Sequence, residues 1–213
     1  MEASDLKYLG NGDHTIIMGD AIVALNTIED NSIDLIFADP PYNIGKNFNG
    51  YKDKWSKDVR DLSFLAEDSI DLIVTHPPYM NIIKYSDGQI AEDISNISSM
   101  PKFCVEMEKI ARELYRVLKP NRYCAILLGD TRKGKHYVPL AFNVMLQFLQ
   151  AGFILKEDII KVQHNCQMTN RWLWKAKQEG FYLIMHEHLY VFRKRQEAED
   201  VSRLKMSTAE VYE

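Results

Sequence analysis

The feature that most constrains the fold is a strand-like run that occurs twice and ends each time in Pro-Pro-Tyr. Residues 32–42 read SIDLIFADPPY, and residues 69–79 read SIDLIVTHPPY. Each run is short and almost continuously apolar, which is typical of a strand buried on both faces of a parallel sheet. Because proline fixes φ and has no N–H to donate, each copy predicts a stiff turn directly after its strand.

Helical and strand-like segments alternate along the rest of the chain. Two helices are predicted, over residues 101–118 and 138–152, and strands are predicted over residues 123–130, 153–163 and 181–194. This alternation predicts an α/β fold with a mostly parallel sheet. A basic loop over residues 164–180 joins the last two strands, which are predicted to form an antiparallel hairpin at one edge.

Composition limits the class of protein. The 213 residues are 46% hydrophobic and 26% charged, as in an ordinary soluble domain, and no apolar run approaches the ~18 residues of a membrane span. The N-terminus does not resemble a signal peptide. Cys104, Cys124 and Cys166 are far apart and odd in number, which predicts a reduced, cytoplasmic protein.

Charge is unevenly distributed. The net charge of −4 argues against a general nucleic-acid coat, but basic residues outnumber acidic ones over residues 119–136 and 161–195. A local basic face can hold a phosphate backbone within an acidic total, although a merely solvated face fits the charge pattern equally well.

Ligands of parallel α/β sheets bind beyond the carboxyl ends of the strands. That rule places both Pro-Pro-Tyr turns, the Gly129-Asp130 pair and the 164–180 loop on one rim. At each turn, the free proline carbonyls and the preceding Asp39 or His76 are acceptors, and Tyr42 or Tyr79 offers a flat face. This combination suits an exocyclic amine on a planar ring, which the turn would orient by hydrogen bonding.

Two stretches carry a resemblance to a known family. IIMGDAIVALNTIEDNSIDLIFADPPYNIGKNF resembles the opening of the bacterial DNA amino-methyltransferases, which methylate adenine N6 or cytosine N4 with S-adenosyl-L-methionine (AdoMet). The stretch from VRDLSFLAEDSIDLIVTHPPY to HEHLYVFRK resembles a catalytic half-domain of another branch, with His in place of Asp. The resemblance covers nearly all of residues 14–195 and implies a Rossmann-like fold, AdoMet as cofactor and DNA as partner, with the target base flipped out of the duplex. The catalytic residues that it implies are Asp39, Pro40, Pro41, Tyr42, His76, Pro77, Pro78 and Tyr79.

The cofactor site departs from the family pattern. Gly19 and Asp20 resemble the region beside the adenosine, but the glycine-rich DPFxGxG turn is not recognisable, so the fold could be incomplete. We hypothesise that Gly45, in DPPYNIGK, stands in for that turn, and Asp58 completes the cofactor-binding candidates. The chain is then interpreted as a fusion with an N-terminal segment over 1–55, a catalytic half-domain over 56–195 and a flexible tail over 196–213.

DNA contacts are expected from two basic stretches. The candidates are Arg132, Lys133, Lys135, Arg171, Trp172, Trp174 and Lys175, which would hold the backbone and neighbouring bases. It is an equal alternative that Trp172 and Trp174 cover a hydrophobic edge. No metal is expected, since His186 and His188 lack a third ligand and resemble ordinary sheet histidines.

Three functions remain open from the sequence. Asp39 favours adenine N6 as the methyl acceptor, while His76 leaves cytosine N4 possible and would have to be neutral to accept a hydrogen bond. The chain could instead be a DNA-binding remnant or subunit that needs a second chain, or a homodimer, to complete it. The third alternative is an RNA or protein-amide methyltransferase, because an amide NH₂ fits the same turn.

Overall fold

The computed structural model describes most of the second half of the chain and parts of the first. The described residues are 6–10, 15–18, 27, 47–48, 51–52, 62–63, 65–82, 84, 93–163 and 169–212. The chain divides into two compact units, residues 1–38 and 39–213. The predicted boundary at residue 55 stays a prediction.

The first unit contains an antiparallel hairpin of β1 (Lys7–Gly10) and β2 (Thr15–Met18). β2 covers the start of the IIMGD stretch that carries the family resemblance. In the second unit, β3 (Asn47–Phe48) and β4 (Tyr51–Lys52) form a short hairpin within a segment that the sequence assigns to a loop.

Four strands build the main sheet. They are β5 (Ile70–Thr75), β6 (Leu118–Gly129), β9 (Ile154–Val162) and β10 (His186–Arg193), and their order is β5-β6-β10-β9. β5 and β6 are parallel, and β10 is antiparallel to both β6 and β9. Three of the four strands therefore run in one direction, which confirms the predicted Rossmann-like α/β class with a mostly parallel sheet.

Two details of the sheet differ from prediction. β9 and β10 pair as expected, but β10 lies inside the sheet and β9 forms the edge. The segment between them is also not a loop throughout, because residues Thr169–Glu179 form a helix, α3. In addition, β5 is only half-buried, with Leu72 exposed.

Helices α1 (Met100–Val117) and α2 (Leu140–Gln150) lie within a residue or two of their predicted bounds. α1 begins at a proline-containing first turn, and its apolar stripe buries Phe103, Met107 and Ala111. Between β6 and α2, β7 (Thr131–Lys133) and β8 (His136–Val138) form a small hairpin. None of the helices in the described part of the chain is long and apolar enough to cross a membrane.

The core lies on one face of the sheet beneath α1 and α2. Because strand side chains alternate between faces, Ile126 and Leu128 of β6 point to the same side and are fully buried. Phe148 of α2 stacks on Phe192 of β10 with ring centroids 4.9 Å apart. β6 and β10 meet in this core in a register that places Glu187 of β10 opposite Gly129 of β6.

The C-terminal residues differ from the predicted flexible tail. Residues Ser202–Ser207 and Ala209–Tyr212 form 3₁₀ turns, Thr208 is fully buried, and Ala209 packs against the core. Arg193 also pairs with Glu199 at 2.5 Å. Thr208 and Ala209 are therefore packed onto the domain, whereas Glu197, Ala198 and Met206 are exposed.

Candidate active site

The second Pro-Pro-Tyr turn is joined to the sheet by a chain of hydrogen bonds. His76 Nε2 lies 2.7 Å from the hydroxyl of Tyr79, which donates to Glu187 Oε1 at 2.8 Å. Glu187 Oε2 accepts from Lys161 Nζ at 2.6 Å. These four residues come from the turn after β5 and from strands β9 and β10, so the network fixes the turn against the carboxyl rim of the sheet.

The network determines which ring nitrogen of His76 is available. The single hydroxyl hydrogen of Tyr79 is donated to Glu187, so the hydroxyl oxygen must accept from His76 Nε2–H. In a neutral imidazole the proton is then on Nε2 and Nδ1 is the acceptor. In this tautomer Nδ1 is the ring nitrogen of His76 that can accept a hydrogen bond.

Glu187 is a buried carboxylate that the sequence reasoning missed. Its burial opposes ionisation, but hydrogen bonds from Lys161, Tyr79 and Gln163 together outweigh that effect and hold its pKa below the usual value. Glu187 pairs directly with Gly129 of β6 and with Lys161 of β9 in the sheet register. A signal was present in the sequence, since an acid between two histidines at the start of a strand must face the opposite side from them.

The ring of Tyr79 lies against the backbone at Gly129. A Cβ at residue 129 would be 2.7 Å from Cε2 of Tyr79 and 3.2 Å from its Cζ, closer than carbon atoms pack. Glycine is therefore required here by close approach and not by its φ. Gly129, which the sequence places on the same rim as the turn, is in contact with it.

The turn itself is closed by an unusual backbone conformation. Met80 has φ of +50° and is buried, and Ile82 N–H donates to Tyr79 O at 3.3 Å. A non-glycine residue at positive φ is held there only when its surroundings require it. Among the described residues, no backbone N–H donates to the carbonyl oxygens of Pro77 or Pro78. The role of these carbonyl oxygens as acceptors for a substrate stays a prediction.

The basic stretch after Asp130 is the β7–β8 hairpin. Its turn has positive φ at Gly134 (+54°) and Lys135 (+72°), as a two-residue type I′ turn requires. Arg132 is used to anchor the hairpin, because it donates to Tyr182 O at 2.6 Å and lies 4.6 Å over the Phe181 ring. Of the three predicted DNA-binding residues in this stretch, Lys133 and Lys135 are exposed at the hairpin tip.

Residues Thr169–Glu179 of the predicted basic loop form helix α3. The helical geometry therefore decides which of the predicted DNA-binding side chains share a face. Trp172 and Trp174 are 43% and 63% exposed, so both are accessible in the described part of the chain. Residues two apart on a helix point in different directions, whereas Lys175 follows Trp172 by three and lies 5.3 Å over its ring. Arg171 lies in the first turn of the same helix. Trp172 and Trp174 therefore project from different sides of α3, and their contact with bases stays a prediction.

Comparison with known proteins identifies the family. The family model described as "DNA methylase" matches residues 70–211, which is most of the second unit. The chain belongs to the DNA methylase family. The predicted resemblance to the DNA amino-methyltransferases is confirmed, and it includes the half of the chain that carries the His76 turn.

Individual relatives match over shorter stretches. The DNA adenine methyltransferase YhdJ of Escherichia coli is 58% identical over 50 residues, which cover 24% of this chain and 17% of that enzyme. A putative DNA modification methylase from Thermus thermophilus, solved with S-adenosyl-L-methionine, is 21% identical over 68% of this chain and 56% of its own, with a TM-score of 0.46. The cytosine-N4-specific PvuII DNA methyltransferase is 16% identical over 68% of this chain and 50% of its own, with a TM-score of 0.47. The chain thus spans about half of these solved structures and matches less than a fifth of YhdJ.

Several predicted site residues of this methylase lie outside the described part of the chain. They are the first-copy residues Asp39, Pro40, Pro41 and Tyr42 and the cofactor candidates Gly19, Asp20, Gly45 and Asp58. Their roles stay predictions. The second copy is described in full and carries the geometry on which the function is proposed.

Proposed function

We propose that this methylase transfers a methyl group from AdoMet to an exocyclic amine of a DNA base held at the His76-Pro77-Pro78-Tyr79 turn. The observation that carries the proposal is the pinned turn. The Tyr79 hydroxyl donates to Glu187, and the Tyr79 ring lies against Gly129. His76 uses Nε2 for its hydrogen bond with Tyr79, so Nδ1 points away from that hydrogen bond. A preformed acceptor set lowers the entropy cost of orienting the amine.

The proposed roles follow from the free acceptors. His76 Nδ1 and a proline carbonyl would each accept one hydrogen of the NH₂ group, which directs the nitrogen lone pair toward the methyl donor. The proton is lost only after attack, when the nitrogen has become cationic, so the turn acts first by orientation. Tyr79 would contact the face of the flipped base, whose extraction from the duplex costs a few kcal/mol.

AdoMet would supply the electrophilic methyl group. An acceptor set without a nucleophilic side chain fits direct transfer from such a donor to the substrate amine. The candidate residues for holding AdoMet are Gly19, Asp20, Gly45 and Asp58, which lie outside the described part of the chain.

Adenine N6 is the proposed acceptor, and cytosine N4 is the second candidate. Asp39 in the first copy and the local identity to an enzyme named DNA adenine methyltransferase support adenine. The exposed Lys133 and Lys135 of the hairpin that follows Asp130 are proposed to contact the phosphate backbone, where each contact adds salt-dependent affinity.

Substrate class and active copy can be tested together. The chain is incubated with methyl-labelled AdoMet and, separately, DNA, RNA or total protein; we expect label in DNA alone. Tyr79→Ala should abolish transfer, whereas Tyr182→Ala, a control at a 92% exposed tyrosine, should leave it unchanged. Loss of activity in Tyr42→Ala with full activity in Tyr79→Ala would assign catalysis to the first copy. No transfer to any substrate would favour the DNA-binding subunit.

A further inference from the structure

A second cluster of polar side chains lies where β6 ends and β10 begins. Asp130, His186 and His188 each present one ligand atom, and these three atoms lie within 4.8 Å of one another. His188 Nε2 is 3.5 Å from Asp130 Oδ2. The two imidazole rings meet edge to face with centroids 5.1 Å apart.

The sheet register explains the convergence. His186 and His188 flank Glu187 on β10, so they project from the opposite face to the Tyr79 network. Asp130 follows Gly129, the partner of Glu187, and its side chain is 3% exposed. The cluster is therefore distinct from the four residues that pin the methylase turn, although the same two strands hold both.

Surrounding groups orient the candidate ligands. His188 Nδ1 lies 3.1 Å from both carboxylate oxygens of Asp158, an arrangement that directs Nε2 toward Asp130. Asp130 Oδ1 accepts from the backbone N–H of Ala141 at 2.8 Å, and Tyr137 OH donates to Oδ2. A carboxylate on the far nitrogen of a histidine is the usual outer support of a metal-bound imidazole, since it fixes the tautomer and the ring orientation.

We propose that Asp130, His186 and His188 bind a divalent transition-metal ion of the Zn²⁺ class. Two imidazoles and one carboxylate are a common zinc set that leaves a fourth position for water. Metal–ligand distances of about 2.0–2.1 Å place tetrahedral ligands about 3.3 Å apart. The observed 3.5 Å between His188 Nε2 and Asp130 Oδ2 is close to that value, and the ligand atom of His186 lies within 4.8 Å of both residues. The ion also balances the carboxylates of Asp130 and Asp158, which lie on either side of one imidazole.

In the sequence, His186 and His188 lack a neighbouring third ligand, and for that reason no metal was expected here. Asp130 supplies the third ligand, from a position in the chain that spacing alone does not relate to the histidines. Without a metal, His188 would bridge the carboxylates of Asp130 and Asp158 by hydrogen bonds, with no part for His186. A bound metal requires His186 as a ligand, so a substitution of His186 distinguishes the two cases.

The test uses Zn²⁺ alone and the full chain. After dialysis against excess Zn²⁺ and then metal-free buffer, we expect the wild type to retain about one equivalent by elemental analysis. His186→Gln and His188→Gln should lower Zn²⁺ affinity more than tenfold, and Asp158→Asn by about 10–100-fold, as for other outer partners. His136→Gln, a control at an exposed histidine of the β7–β8 hairpin, should bind as the wild type does.

Two results would overturn the proposal: a wild type that retains no Zn²⁺, or a His186→Gln variant with wild-type affinity. If His188→Gln fails to fold, as judged by circular dichroism in metal-free buffer, His186→Gln decides the question. Zn²⁺ should also raise the melting temperature of the wild type but not of His186→Gln, because only a state that binds the ion is stabilised by it.

Discussion

Gly129→Ala should displace Tyr79 and dismantle the hydrogen-bond chain at the turn. The new Cβ would lie 2.7 Å from Tyr79 Cε2, while carbon atoms are comfortable at about 3.5–4.0 Å, so the ring must retreat by roughly 1 Å. The Tyr79 hydroxyl now lies 2.7 Å from His76 and 2.8 Å from Glu187. A retreat of that size would exceed the ~3.2 Å limit of an ordinary hydrogen bond for at least one of them. Overpacking of this kind costs roughly 1–3 kcal/mol.

The measurement is a double-mutant cycle by urea unfolding. In a Tyr79→Ala background the clashing ring atoms are absent, so Gly129→Ala should lower the free energy of unfolding by less than about 0.5 kcal/mol. The coupling free energy between the two substitutions should then equal the overpacking cost of roughly 1–3 kcal/mol. Gly134→Ala is the matched control: it has open space around it but a φ of +54°, so its backbone cost should be the same with and without Tyr79→Ala. An equal cost of Gly129→Ala in both backgrounds would show that Tyr79 does not rest on this backbone.

Three further predictions concern the rest of the domain. Phe148→Ala should lower the free energy of unfolding by about 3–5 kcal/mol, measured in urea, because it removes a fully buried ring stacked on Phe192; a loss below about 1 kcal/mol would refute the packing. Hydrogen bonding to Arg193 holds the pKa of Glu199 at about 2, below its unfolded value. The stability that ionised Glu199 contributes to the folded state is therefore present above about pH 4.3 and is lost as the pH falls toward 2. The difference in melting temperature between wild type and Glu199→Gln should therefore shrink over that range, and a constant difference would contradict it. Burial raises the pKa of Cys124 to about 12, so iodoacetamide should modify this thiol only on unfolding, as read by peptide mass spectrometry; rapid modification of the native chain would count against the burial.

Much of the fold of residues 70–193 could be predicted because local signals and tertiary packing agree there. α1 has a proline in its first turn and an apolar stripe that is buried, and β6 contains an apolar run in the interior of the sheet. The position of β10 between β6 and β9 could not be predicted, since strand order depends on contacts between distant segments. α3 was missed because the basic residues of this stretch were interpreted as a loop between the last two strands.

The candidate site shows the same division. His76 and Tyr79 could be found because two prolines after an apolar run have a direct conformational meaning. The contacts of Glu187 and Gly129 with Tyr79 could not be predicted, because they arise only when antiparallel pairing places Glu187 and Gly129 opposite each other. Arg132 was assigned to DNA by its charge, whereas its observed contacts are with Tyr182 and Phe181 of the same chain.

The most direct test of the central claim is to identify the atom that receives the methyl group. DNA treated with the methylase and AdoMet is digested to nucleosides and analysed by mass spectrometry, with Tyr79→Ala and Tyr182→Ala in parallel. The account predicts N6-methyladenine, or N4-methylcytosine as the second candidate, with the wild type and Tyr182→Ala but not with Tyr79→Ala. A methyl group on a ring carbon, or an undiminished yield with Tyr79→Ala, would contradict the claim that this turn holds the amine.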